Sequence, residues 1–397
     1  MIYLSPPQVH PDDQVAVLAA MASGWLAPVG PALDVFEAEL GLVTGQHVVA
    51  LSSGTAAIHL GLKALGVGPG DLVLVPTLTF AASLNPILYL GAQPILIDAD
   101  PETGNMSLDH LSSSLAQLAR IDRLPKAIIV VDLFGMPAPT QIIRDHVQDL
   151  YDGQIKILED AAEALGSYSH ANSSIAGPTP NTYPVGHFAD ITVWSFNGNK
   201  IISTSGGGAL GAHNPAIVGQ VRKWATQSKE PVSWYEHQEI GYNYRMSNVL
   251  AALGSSQLSR LKDLVLIRQQ IYDRYAEAFA PNGIIGQSEP PDVVSNRWLP
   301  VFRLPVAHSA LLSLCATLAT DGIECRSVWK PMHQQPYLQG AVSQQVSLIG
   351  PQHWPNSDHW FRHAICLPTG PSLSLQDQQF VIDRLLSMVK TMVHTAD

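Results

Sequence analysis

Lys200 stands in Ser195-Phe196-Asn197-Gly198-Asn199-Lys200, behind the apolar run Ile191-Thr192-Val193-Trp194 and ahead of Thr204-Ser205-Gly206-Gly207-Gly208. Upstream, Glu159-Asp160-Ala161-Ala162-Glu163 lies at the end of another expected strand, Ile155-Lys156-Ile157-Leu158. A lysine tethered between glycines can form a Schiff base with an aldehyde. A strand-end carboxylate that meets it in space can keep a pyridine nitrogen protonated, so that the ring acts as an electron sink. These are the requirements of pyridoxal phosphate (PLP) chemistry. Singly, a lysine beside glycines is an ordinary loop residue and a strand-end aspartate an ordinary helix cap. The argument comes from the set.

Other residues extend that set. Ser53-Gly54-Thr55 opens a helix directly after the strand Val48-Val49-Ala50-Leu51. Its backbone N–H groups and two hydroxyls suit a phosphate dianion at a helix N-terminus, and equally a plain N-cap. Ser195 adds a hydroxyl at a strand end. Phe80, after Pro76-Thr77-Leu78-Thr79, could stack on a planar ring or belong to the core. Glu163 could face the same cavity as Asp160 or lie on a solvated helix face. Gly241-Tyr242-Asn243-Tyr244-Arg245-Met246-Ser247-Asn248 crowds polar groups and aromatics together, as turns and interfaces do.

The elements that must position these residues alternate. Strands are expected at 48–51, 72–75, 94–98, 127–131 and 155–158. A helix over 55–65 ends at Gly66 and the Gly68-Pro69-Gly70-Asp71 turn; another covers 79–90, bent by Pro86. Short continuous apolar runs with helices between them predict an α/β fold: a mostly parallel sheet covered on both faces, with ligands beyond the carboxyl ends of the strands. After Asn248 a long helical pattern runs from Leu250 to Tyr275. It is followed by a strand over Trp298–Leu304, a helix over 307–320 and a final helix over 375–392. The expected division is a large domain, 1–247, and a linking helix with a smaller α+β domain, 248–397.

Composition agrees with a folded catalyst. Of 397 residues 46% are apolar and 14% charged, which supports a large core. The net charge of −11, without a basic run, weighs against nucleic acid or an anionic membrane as the partner. No leader pattern and no membrane-spanning stretch is evident. Cys315, Cys325 and Cys366 have no metal-like spacing, so a reduced, cytoplasmic protein without a metal is expected.

The chain resembles the DegT/StrS-type nucleotide-sugar aminotransferases of the fold-type I PLP superfamily. The resemblance runs nearly end to end, through residues 53–57, 76–80, 159–166, 195–200 and 241–245. Within the family it is most similar to the enzymes that aminate C4 of UDP-2-acetamido-4-keto-2,4,6-trideoxyhexose on the route to N,N′-diacetylbacillosamine. That finer likeness rests on residues 4–7, 27–30, 295–299, 328–333 and 365–370.

The resemblance implies a seven-stranded large-domain sheet. It makes Lys200 the Schiff-base lysine and proton shuttle, and pairs Asp160 with the pyridinium nitrogen. Phe80 would stack on the ring, and Ser53, Gly54, Thr55 and Ser195 would hold the phosphate. Glu163 would lie near the cofactor hydroxyl, where many relatives carry Gln or His. Asn243 would reach the phosphate site of a second subunit, giving a homodimer with shared sites. Trp25, Leu26, Ala27 and Pro28, with Trp329 and Lys330, would contact the nucleotide sugar. By charge, Lys330 and either Arg297 or Arg326 could meet the diphosphate or the carboxylates of L-glutamate. The implied reaction is ping-pong transamination from L-glutamate to a UDP-4-keto sugar. The alternatives are a GDP-perosamine-type or legionaminate-pathway aminotransferase, a dehydratase (disfavoured because Lys200 is present) and a non-catalytic regulatory relative.

Overall fold

The computed structural model describes residues 1–170, 182–350 and 352–394. Its main sheet has seven strands: β1 (His47–Leu51), β2 (Leu72–Pro76), β3 (Gln93–Ile97), β4 (Ala127–Val131), β5 (Lys156–Asp160), β6 (Ile191–Ser195) and β7 (Gly208–Ala212). The spatial order is β1-β7-β6-β5-β4-β2-β3. Six strands are parallel, and β7 runs against both of its neighbours. The expected mostly parallel α/β sheet is what forms.

Both faces of the sheet are covered, which is why its strands read as continuous apolar runs. Along β2, Val73 and Val75 pack toward Ala57, Ile58 and Leu60 of helix α1 (Gly54–Ala64). Leu72 and Leu74 face the other way, toward Leu111, Leu115 and Leu118 of the helix Leu108–Arg120 and toward Ile143 and Val147. The period of two sends alternate side chains into two cores.

Strand β7 has no apolar run to announce it: it is Gly208-Ala209-Leu210-Gly211-Ala212. Its neighbours forbid anything larger at two positions. A Cβ on Gly208 would lie 2.4 Å from the backbone of Ser53, and one on Gly211 would lie 2.7 Å from the Trp194 ring. Low strand propensity is overridden here by pairing on both sides.

A second, antiparallel sheet follows, of β8 (Ile285–Gly286), β9 (Val301–Arg303), β10 (Arg326–Ser327) and β11 (Ala364–Cys366), in the order β8-β9-β11-β10. Helices His308–Thr320 and Leu375–His394 pack against it through Leu311, Leu314, Val381 and Leu385. Two expectations are corrected. The strand placed over Trp298–Leu304 is confined to Val301–Arg303. The single helix from Leu250 to Tyr275 is two, α3 (Asn248–Leu258) and α4 (Leu261–Phe279). They separate at Arg260, whose backbone leaves the helical region at φ −106 and ψ 7 and whose guanidinium holds both carboxylate oxygens of Asp13 at 2.9 Å.

The first residues form a strap across the molecule. Ile2 pairs with the backbone of Gly322 and Glu324, the Leu4 amide donates to the Glu324 carboxylate at 3.1 Å, and Leu4 O accepts from Thr369. Ser5 Oγ then donates to Asn199 O at 2.8 Å, next to Lys200. Arg268 of α4 lies beneath, 2% exposed and with no carboxylate partner among the described residues. It donates to Trp298 O at 2.9 Å and approaches Ser5 Oγ at 3.4 Å. Among the described residues no helix is long and apolar enough to cross a membrane.

Candidate active site

The carboxyl ends of β1, β2, β4, β5 and β6 surround a cavity of about 290 Å³, where open parallel sheets bind ligands. At one end Ser53 caps α1, its Oγ accepting from Ala56 N at 3.0 Å. The first helical amides, of Gly54 and Thr55, have no intrahelical acceptor. Ser195 faces them from the end of β6, so close that a Cβ on Gly54 would sit 3.1 Å from Ser195 Cβ. Free amides and hydroxyls at a helix N-terminus can hold a phosphate.

Asp160 ends β5 and is 4% exposed. Ser83 Oγ donates to its Oδ2 at 2.7 Å and Ala162 N to its Oδ1 at 3.2 Å. Burial raises its carboxyl above the ordinary range, while Ser83, Ala162 and the charge of Lys200 pull it down. Its hydrogen-bond donors are neutral, so the carboxylate is suited to oppose a cation on a ligand.

Lys200 reaches the same cavity. Its Nζ donates to Glu163 Oε1 at 3.2 Å and lies 3.8 Å from the centre of the Trp298 ring. Glu163 also accepts from Phe134 N at 2.7 Å. Burial raises the Glu163 carboxyl, and Lys200 lowers it. Of the two environments open to Glu163 in the sequence, it occupies the cavity wall. Behind Asp160, Asp132 and Glu159 bury their carboxyls against each other. Desolvation pushes Asp132 well above its usual range and Glu159 up to about 7, and the nearness of the two carboxyls couples their protons.

Phe80 stands at the cavity mouth, 54% exposed, just before helix α2 (Ala81–Tyr89), and its ring centre is 5.3 Å from that of Trp329. Trp329 stacks on Phe134, and its indole N–H is buried with no partner among the described residues. Beyond this aromatic wall lies a second, wider cavity of about 650 Å³, which shares Phe80, Asn199 and Trp329 with the first. Its other walls include strap residues 3–7, Leu299, Glu324, Arg326 and Cys366.

The structure thus gathers Ser53, Gly54, Thr55, Phe80, Asp160, Glu163, Ser195, Lys200 and Trp329 around one cavity. It does not bring Asn243, Lys330 or residues 25–28 there. Asn243 is exposed and bridges Thr226. Lys330 is exposed. Trp25 and Ala27 lend their carbonyls to Asn248, while the Trp25 and Leu26 side chains point to solvent. Arg297 is buried, paired with Glu289 and stacked on Tyr272. Sequence reasoning missed Ser83, one turn into α2, and Trp298. Ser83 carried a weak signal, since it follows Phe80 at the end of β2. Trp298 lay within the 295–299 likeness but was given no role, because it meets Lys200 only through tertiary packing. Among the described residues no group of three or more His, Cys, Asp or Glu is placed to hold a metal.

Residues 7–386 match the DegT/DnrJ/EryC1/StrS aminotransferase family. The chain belongs to that family. It is 39% identical over 393 residues, 98% of this chain and 96% of the other, to EpsN of Bacillus subtilis (strain 168), provisionally described as a pyridoxal phosphate-dependent aminotransferase. It is 32% identical to the GDP-perosamine synthase of Escherichia coli O157:H7, over 96% of both chains. Spr1654 from Streptococcus pneumoniae, provisionally described as a sugar aminotransferase and solved in its PLP form, superposes with a TM-score of 0.86 at 26% identity, over 98% of this chain and 99% of its own. The DegT/DnrJ/EryC1/StrS member described here is therefore a PLP-dependent sugar aminotransferase with the fold-type I architecture.

Proposed function

We propose that the protein transfers the amino group of L-glutamate to C4 of a UDP-linked 2-acetamido-4-keto-2,4,6-trideoxyhexose, releasing 2-oxoglutarate and the UDP-linked 4-amino sugar. One observation carries the reading. Four of the five segments behind the finer sequence likeness contribute walls to the two joined cavities, through residues 4–7, Trp298 and Leu299, Trp329, and Cys366, while residues 27–30 line neither. Residues that contact a sugar substrate belong there.

The cavity fits the cofactor on its own chemistry: free helix amides and hydroxyls at one end, a buried carboxylate with neutral donors, and a lysine beside it. Bound PLP supplies an exchangeable aldehyde and a ring that withdraws electrons. In this reading Ser53, Gly54, Thr55 and Ser195 hold the phosphate, Asp160 opposes positive charge at the ring nitrogen, and Phe80 and Trp329 keep water from the ring face. Lys200 Nζ holds the cofactor and moves the proton of the amino donor. It must be unprotonated to accept that proton, and Glu163, 3.2 Å away, would orient it once it is released from the cofactor. Asn243, exposed and outside the cavity, reaches the phosphate end of a second copy, so that the working enzyme is a homodimer.

The GDP-perosamine-type reading is the second, because the perosamine synthase shares 32% identity along nearly the whole chain. A legionaminate-pathway sugar would differ only in substrate, and a regulatory relative would not need Lys200. Incubation with L-glutamate and a panel of UDP- and GDP-4-keto-6-deoxy sugars, followed by NMR of the products, tests the assignment. The expected product is the UDP-linked 4-amino sugar. A preference for GDP-4-keto-6-deoxymannose would replace the UDP reading, and no product with any sugar would remove both.

A further inference from the structure

Both substrates of a nucleotide-sugar aminotransferase are anions: a dicarboxylic amino donor and a nucleotide diphosphate. Among the described residues, the two joined cavities are lined by two cationic side chains, Lys200 in the inner and Arg326 in the outer. Lys200 is committed to chemistry and already paired with Glu163. The other cations suggested by the sequence do not line either cavity, Arg297 being bound to Glu289 and Lys330 exposed outside.

We infer that Arg326 is the residue that reads the anionic end of a substrate whose reacting end lies at Lys200. This deepens the sugar-aminotransferase reading and rests on it. Arg326 starts β10, paired with Cys366 of β11, which also lines the outer cavity. Its Nη2 donates to Glu324 Oε1 at 3.0 Å. The two side chains are 68% and 31% exposed. So exposed a pair contributes little to stability and yields readily to another oxyanion. Glu324 has another role, since its second oxygen accepts from the Leu4 amide of the strap at 3.1 Å. The carboxylate of Glu324 thus stands in for an incoming carboxylate or phosphate at Arg326. The unpartnered indole N–H of Trp329, on the wall shared by the cavities, is a further donor left unmatched by the protein.

The shared chemistry is an oxyanion, and two experimental arms separate its sources. Binding of 2-oxoglutarate and of UDP to the PLP-loaded enzyme is measured by calorimetry for wild type, Arg326→Met and Glu324→Gln. Arg326→Met is expected to weaken one of these anions about tenfold or more, as loss of a charged hydrogen bond does. If 2-oxoglutarate is weakened, Arg326 reads the amino donor; if UDP is weakened, it reads the nucleotide. Glu324→Gln keeps an acceptor for Leu4 but removes the competing charge, and is expected to tighten the same anion. Both affinities unchanged within about twofold in Arg326→Met, with PLP absorbance intact, would overturn the inference. It is independent of the sugar: weaker 2-oxoglutarate binding by Arg326→Met supports Arg326 even if the substrate panel rejects the UDP sugar.

Discussion

The inner and outer cavities adjoin but are built differently. The inner one takes its walls from the ends of five strands and the start of α1, and its polar groups are held by short hydrogen bonds from neighbouring turns, such as Ser83 to Asp160 at 2.7 Å and Phe134 N to Glu163 at 2.7 Å. The outer one is walled by the strap, by short strands of the second sheet and by loops, and of its charged pair Arg326 is mostly in water. In the proposed reading, chemistry that tolerates little displacement is assigned to the sheet, and recognition to parts that can change without disturbing the sheet.

Three substitutions test how sharp that division is. The largest effect is expected from Lys200→Ala, which should fold and bind PLP but lose turnover by about a thousandfold or more. Borohydride reduction should leave PLP covalently on wild type and not on the variant; a covalent adduct on Lys200→Ala would remove this lysine from its role. Asn243→Ala tests whether the inner cavity is complete within one chain. A loss of about tenfold to a hundredfold in kcat/KM is expected, from a contact to an anion in a second copy's site. Mixing it with Lys200→Ala after verified subunit exchange should restore part of the activity, and no recovery would confine each site to one chain.

The smallest effect is thermodynamic and belongs to the wall behind Asp160. Glu159 has an ordinary carboxyl value of 4.5 when unfolded and is pushed up to about 7 when folded. The folded state therefore binds more protons in this window, and the contribution of Glu159 to stability is complete below about 4.5 and fades as pH rises through about 7. Glu159→Gln should flatten the fall of Tm between these values by a few degrees. An unchanged slope would mean that the Asp132–Glu159 pair does not hold its proton there.

The same division explains what could be read from the chain. β2 and β4 were legible because burial on both faces leaves them apolar throughout. Ser53, Asp160, Ser195 and Lys200 were legible as a set because each lies at or just beyond a strand end. β7 was hidden, since its glycines answer to Ser53 and Trp194 rather than to its own propensity. The break at Arg260 was hidden too, because Asp13, which Arg260 holds there, lies on another helix. Trp298 and Ser83 meet Lys200 and Asp160 only after the chain has folded, and Arg326 was one of several candidate cations until the cavities separated it from Arg297 and Lys330.

Gly208 lines neither cavity, yet its surroundings leave no room for a side chain. A methyl group there would press on Ser53 and on the amide of Gly54, at 2.4 and 2.5 Å, and so push the start of α1 out of place. Residues of the outer cavity can be exchanged without touching the sheet, but at this glycine a side chain is blocked by a neighbour's backbone. Loss of activity in a natural variant can thus originate in a residue that touches no ligand, and a screen confined to cavity walls would pass over it.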